Sequence, residues 1–162
     1  MDVLSIFEDK IKTDEKGNAA YAHKWDERAK RFYDAQKTGR KNLQESVVSM
    51  LKDKQIVTKD TTVLDIGAGA GRYTIPLARE AKHVLGTDFS QEMINYLNKV
   101  IKEESISNIT TKQLAWPSKE PLETVDLVFS AMCPCTRSKE ALIQMSELAR
   151  KHGVIAQMTK MG

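Results

Sequence analysis

The sequence predicts an α/β fold: a doubly wound, mostly parallel sheet of strand order 3-2-1-4-5, with a helical cap ahead of it. Three observations lead there. From Thr62 onward, short apolar runs alternate with helix-length segments, over connections long enough for the crossovers that parallel strands require. The first run, Val63-Leu64-Asp65-Ile66, passes through Gly67-Ala68-Gly69-Ala70-Gly71 into helix-forming sequence, so that backbone can approach a ligand where a side chain would clash. The residues before Thr62 are helical and polar, with no strand-like run. These readings divide the chain into a helical cap over 1–60 and a core over 61–162.

In the cap, Tyr21, Trp25, Arg28, Ala29 and Phe32 fall along one helical face. A second helix begins at Asn42, with Leu43, Val47, Met50 and Leu51 as its apolar stripe. In the core, strands are expected over 62–66, 83–87, 109–114, 125–131 and 153–158, and helices over 71–81, 90–103 and 138–150. Ser90 stands where a helix N-cap belongs. Right-handed crossovers then put the ligand crevice above Gly67–Gly71, at the switch point between the first and fourth strands.

Composition narrows the function classes. Of 162 residues, 41% are hydrophobic and 29% charged, ordinary for a soluble domain able to bury a core. A formal charge of +3 without a block of five like charges gives little support for a dedicated nucleic-acid surface. No apolar run approaches a membrane span, and the acids near Met1 are out of place in a secretory signal. Cys133 and Cys135 lie too close for an ordinary fold-stapling bridge, and the expected compartment is the cytoplasm. A Cys-x-Cys pair is half a metal site, but His23, His83 and His152 are scattered, so no metal is expected.

The glycine spacing separates two cofactors. A dinucleotide fingerprint places its third glycine where this chain has Arg72, whereas the run here is Gly-x-Gly-x-Gly with Asp65 two residues ahead. This resembles the first motif of the class I S-adenosylmethionine-dependent methyltransferases. The resemblance covers residues 21–158 and implies the Rossmann-like core of that family, with S-adenosyl-L-methionine as cofactor. It implies that Gly67, Ala68, Gly69 and Gly71 pass under the amino-acid end of the cofactor, with Asp65 organising the loop. Asp88, at the end of the second strand in Val84-Leu85-Gly86-Thr87-Asp88, matches the family's ribose-binding acid. The same acid would serve a dinucleotide, so NAD stays as a competing cofactor. Phe89 would then lie against the adenine, with Met93 on the first turn of the next helix.

Further along, the match loosens. Family members usually follow the third strand with an acid for the adenine amino group, and Ala115 stands in that place, followed by Trp116. Either backbone groups and the Trp116 ring hold the adenine, or the register is off by a residue. Ser130 ends the fourth strand, and Met132 and Cys133 follow where the family carries substrate-facing residues. Trp25-Asp26-Glu27-Arg28-Ala29 resembles the Trp-x-x-Arg-Ala opening of small-molecule methyltransferases, which places Trp25 and Arg28 in a lid over the substrate. No general base can be named.

The resemblance therefore implies methyl transfer to a small molecule, with nucleic acid and membrane not expected as partners. Pro134-Cys135 is similar to the Pro-Cys of cytosine-C5 methyltransferases, which keeps a nucleic-acid enzyme with Cys135 as nucleophile as one alternative. A non-catalytic cofactor- or partner-binding domain is another. The family's C-terminal hairpin is expected to be missing after Val154-Ile155-Ala156, leaving a sheet edge open to pairing with another subunit.

Overall fold

The computed structural model describes residues 29, 30 and 42–157. Its elements are α1 (Asn42–Asp53), β1 (Thr62–Ile66), α2 (Thr74–Glu80), β2 (His83–Asp88), α3 (Gln91–Glu103), β3 (Ile109–Gln113), β4 (Val125–Ala131), a 3-10 turn (Pro134–Thr136), α4 (Lys139–Leu148) and β5 (Ala149–Ala156). The sheet runs β3-β2-β1-β4-β5, and all four pairings are parallel. Order and direction agree with expectation. The lid expected at Trp25 and Arg28 lies outside the described residues, as does most of the segment over which the cap was expected.

Alternation along the central strands builds two cores. Val63, Val84, Leu127 and Phe129 face one side, packed with Val48 and Leu51 of α1, Leu77 of α2 and Val100 of α3. Leu64, Ile66 and Val128 face the other, against Trp116 and the Ala141, Met145 and Leu148 stripe of α4. Strands buried on both faces are the condition for an all-parallel sheet. Each large side chain so buried contributes roughly 2 kcal/mol. No helix among the described residues is long and apolar enough to cross a membrane.

Helix ends follow local chemistry. The Ser90 hydroxyl accepts the Met93 backbone N–H at 3.2 Å and starts α3, and Ser138 does the same for Ala141 at 3.1 Å in α4. Helix α2 begins at Thr74, three residues later than expected, because Gly71 at φ +99° carries the turn onward. Pro76 then falls in the first turn of α2, the part of a helix that tolerates proline best.

The largest boundary difference lies at the C-terminal end. Strand β5 starts at Ala149, directly from α4, and not at residue 153. Its first residues, Arg150-Lys151-His152, are too polar to read as a strand. They belong to the sheet because Arg150 reaches across it: the guanidinium donates to Asp126 Oδ1 at 3.2 Å, Thr62 Oγ1 at 3.2 Å and the Thr124 carbonyl at 3.2 Å. Asp126 also accepts the Thr62 backbone N–H at 3.0 Å. That bond, more than Arg150, holds the carboxyl below its ordinary pKa against the opposing effect of burial.

Candidate functional site

The ends of β1, β2 and β4 converge on the glycine loop. From β1, Asp65 is buried, and its Oδ2 accepts the Thr74 hydroxyl at 2.7 Å. Its own carbonyl accepts the Thr87 hydroxyl at 3.1 Å. One residue thus ties β1 to the start of α2 and to β2. Burial pushes the Asp65 carboxyl up to about 7; the Thr74 hydrogen bond opposes this and the nearby Asp88 charge adds to it. From β4, Ser130 is fully buried and donates its hydroxyl to the Ile66 carbonyl at 3.1 Å, holding β1 and β4 together directly beneath the loop.

The loop is anchored at Ala68, whose N–H donates to the Thr87 carbonyl at 2.8 Å, and closed by Gly71 N–H to the Ala68 carbonyl at 3.0 Å. Its three glycines have different surroundings. A methyl group on Gly71 would sit 2.6 Å from Leu97 Cδ1, and one on Gly67 would sit 2.7 Å from Cys133 Sγ. These two glycines let protein pack on protein. Gly69, at φ +57°, meets nothing nearer than Met93 Sδ at 3.9 Å. A methyl group there would make only an ordinary contact.

Asp88 closes the ring. Its Oδ2 accepts the Gly69 N–H at 2.9 Å and its Oδ1 the Ser90 N–H at 3.0 Å, so the acid of β2 is fixed against the middle glycine of the loop. Phe89 is half-buried beside it, and the Gln113 amide donates to the Phe89 carbonyl at 3.1 Å. Met93 is buried under the loop.

The spacing of those glycines and the acids behind them are matched by a family model described as "Methyltransferase domain", which covers residues 63–153. The chain belongs to this family. A phosphoethanolamine N-methyltransferase of Arabidopsis thaliana is 31% identical over 113 residues, which is 63% of this chain and 20% of that protein. A 23S rRNA uracil-C5 methyltransferase of Alcanivorax borkumensis is 31% identical over 67 residues, 41% of this chain and 15% of the relative. Among solved structures, the DhpI–SAM–HEP complex superposes with a TM-score of 0.66 at 22% identity, covering 89% of this chain and 66% of the other. The methyltransferase domain described here spans half or less of the length of the curated relatives it matches.

Of the cofactor residues expected from sequence, Asp65, Gly67, Ala68, Gly69, Gly71, Asp88, Phe89 and Met93 gather at this one place. Ser130 is beneath them and spends its hydroxyl on protein. Ala115 is exposed, whereas Trp116 is buried in the second core with its indole N–H donating to the Ala141 carbonyl at 3.3 Å. That is a packing position, reinforced by the paired hydrogen bonds between Ser118 and Gln144.

The β4 end brings a correction. Cys133 and Cys135, read as too close for an ordinary bridge, form a disulfide. The turn Pro134–Thr136 between and beyond them folds the chain back, and Thr136, buried, returns its hydroxyl to the Cys133 carbonyl at 3.0 Å. A sulfur bonded in this way is not a thiolate, so Cys135 in the disulfide is not poised as a nucleophile. Cys133 lies against Gly67, and Met132 beside it is half exposed at φ +55°. Thr74 and Thr87, which hold Asp65, carry no signal in the sequence that separates them from other threonines. Only the fold assigns them.

Proposed function

We propose that this domain binds S-adenosylmethionine over Gly67–Gly71 and transfers its methyl group to a small-molecule acceptor. The observation that carries the reading is the pairing of Gly69 with Asp88. An open, left-handed backbone position is held 2.9 Å from a carboxylate at the neighbouring strand end. The cradle fits the group. Gly69 leaves room for it, and Asp88, fixed by the Gly69 and Ser90 N–H groups at the neighbouring strand end, supplies a charged acceptor of the kind that vicinal hydroxyls favour. Bound there, the cofactor supplies an electrophilic methyl group on a sulfonium.

The chain's own part is positioning. Asp65, Thr74 and Ser130 hold the loop in register with the strand ends; Met93 supports it from below; Phe89 offers a half-buried ring for the adenine. Ala115 and Trp116 complete the adenine end in this proposal, Ala115 through its exposed backbone and Trp116 by fixing that segment on α4. In-line methyl transfer gains most from orientation and exclusion of water. Met132 and Cys133 are proposed to line the substrate side of the crevice; the Trp25 and Arg28 lid implied by the resemblance lies outside the described residues. Residues 1–60 form the cap and 61–162 the core in this scheme, and the compartment is the cytoplasm.

A small-molecule acceptor is favoured by the modest, unblocked charge and by the phosphoethanolamine-methylating relative. The test is a methyl-transfer screen of the full-length protein across small metabolites, tRNA and protein extract, with Cys135→Ser alongside. Label in a small metabolite, retained by the variant, is expected. Label confined to RNA and abolished by Cys135→Ser would overturn the small-molecule reading in favour of a pyrimidine-C5 enzyme.

A further inference from the structure

The Cys133–Cys135 bridge sits where the cofactor loop meets the substrate side of the crevice, and methyl transfer makes no use of it. Cys133 is packed on Gly67, so closely that a methyl group on that glycine would be 2.7 Å from the Cys133 sulfur. Cys135, at the other end of the bond, packs on the second hydrophobic core. The bridge is therefore a strut between the first glycine of the loop and the core under β4. Both cysteines are partly exposed, so a small thiol can reach the sulfurs. The backbone of the turn does not depend on the strut. Thr136 holds it through its N–H and hydroxyl to the Cys133 carbonyl, and Met132 N–H donates to the Ala156 carbonyl at 2.8 Å.

We infer that Cys133 and Cys135 form a reversible thiol–disulfide site whose co-substrate is a small thiol and whose oxidation state sets the affinity of the Gly67–Gly71 loop for its ligand. In reduction, the Cys133–Cys135 bond breaks while two thiol molecules join as their disulfide, and the two electrons and two protons go to the cysteine sulfurs. Two unbonded sulfurs cannot stay at bonding distance. The two sulfurs must then separate, with Cys135 packed on the second core and the Cys133 sulfur blocked on its Gly67 side. The sulfur swings free of its tether, and the wall beside Gly67 loses its fixed position. Ligand binding to the reduced form must restore that order, so the bridged form binds more tightly. Disulfides in reducing compartments are mostly of this transient, sensing kind, which suits a bridge spanning one residue at the edge of a site.

The inference rests on the cofactor reading above, and the experiment separates the two. The intact protein is prepared with oxidised glutathione or with dithiothreitol, free thiols are counted with a chromogenic thiol reagent, and S-adenosylhomocysteine is titrated calorimetrically into each form. Amide resonances of Gly67 and Gly69 are followed by NMR. The oxidised protein should show no free thiol and bind about three- to tenfold more tightly than the reduced one. Cys135→Ser in dithiothreitol should match the reduced protein, and the Gly67 resonance should move on reduction. Equal affinities, unmoved glycine resonances, or two free thiols after oxidation would each overturn the inference. Absence of binding in both states, with Gly67 still shifting, would support the redox site while sinking the cofactor reading.

Discussion

At the scale of single residues, Asp65 carries the most unusual electrostatics of the site. It is buried with one hydroxyl donor on its carboxylate and with Asp88 as a neighbouring negative charge. Its pKa is raised from 3.8 to about 7, so between these values the folded chain holds a proton that the unfolded chain has lost. Stability from this group therefore falls as pH rises from about 4 to about 7 and is level above that. At ~1.4 kcal/mol per pKa unit the effect amounts to a few kcal/mol. Asp65→Asn keeps an acceptor for Thr74 but cannot ionise. Urea melts at a series of pH values should show the variant drawing ahead of the parent across this window, by a few kcal/mol at pH 8. Parallel stability curves would contradict the assignment. Asp126 acts in the opposite sense, since its lowered pKa adds stability above its unfolded value that is lost as pH falls through the folded one.

At the scale of elements, the glycine loop separates two jobs that its regular spacing merges. Gly71 makes room for Leu97 of α3, whereas a methyl group on Gly69 would meet only Met93 at an ordinary contact distance. Gly71→Ala should destabilise the fold by about 2–3 kcal/mol, from overpacking added to a left-handed backbone. Gly69→Ala should cost only about 1 kcal/mol of stability, yet weaken cofactor binding by tenfold or more, because the added methyl enters the crevice. Thermal melts and calorimetry on the two variants test this, and equal effects on both quantities would refute the division. Legibility in sequence follows the same physics. Strand β1, the glycine turn and the acid of β2 were readable because close backbone approach and a fixed carboxylate demand particular residue types at particular spacings. Strand β5 was misplaced because Arg150-Lys151-His152 enters the sheet through a tertiary ion pair with Asp126, which has no local signature. Trp116 showed its aromatic character but not its neighbour, α4, twenty-five residues on. The disulfide was missed because the pairing depends on the Pro134–Thr136 turn.

At the scale of the whole molecule, the strand order puts every ligand-facing element at one end of the sheet. Because β1 leads through α2 to β2 on one side while its neighbour β4 leads through α4 to β5 on the other, the connections leaving these two strands diverge, and the crevice opens between them. The Arg150–Asp126–Thr62 cluster occupies the opposite end, at the starts of β1 and β4, so the two ends divide anchoring from binding. At this end of the sheet we propose that S-adenosylmethionine is held through Gly69 and Asp88. The most direct measurement is titration calorimetry of S-adenosylhomocysteine and of NADH into the parent protein and into Asp88→Ala. S-adenosylhomocysteine alone should bind, and the substitution should weaken it at least tenfold, as expected for losing hydrogen bonds to a charged acceptor worth about 1.5–3 kcal/mol. Binding of NADH alone, or an affinity for S-adenosylhomocysteine unchanged in Asp88→Ala, would contradict the proposal.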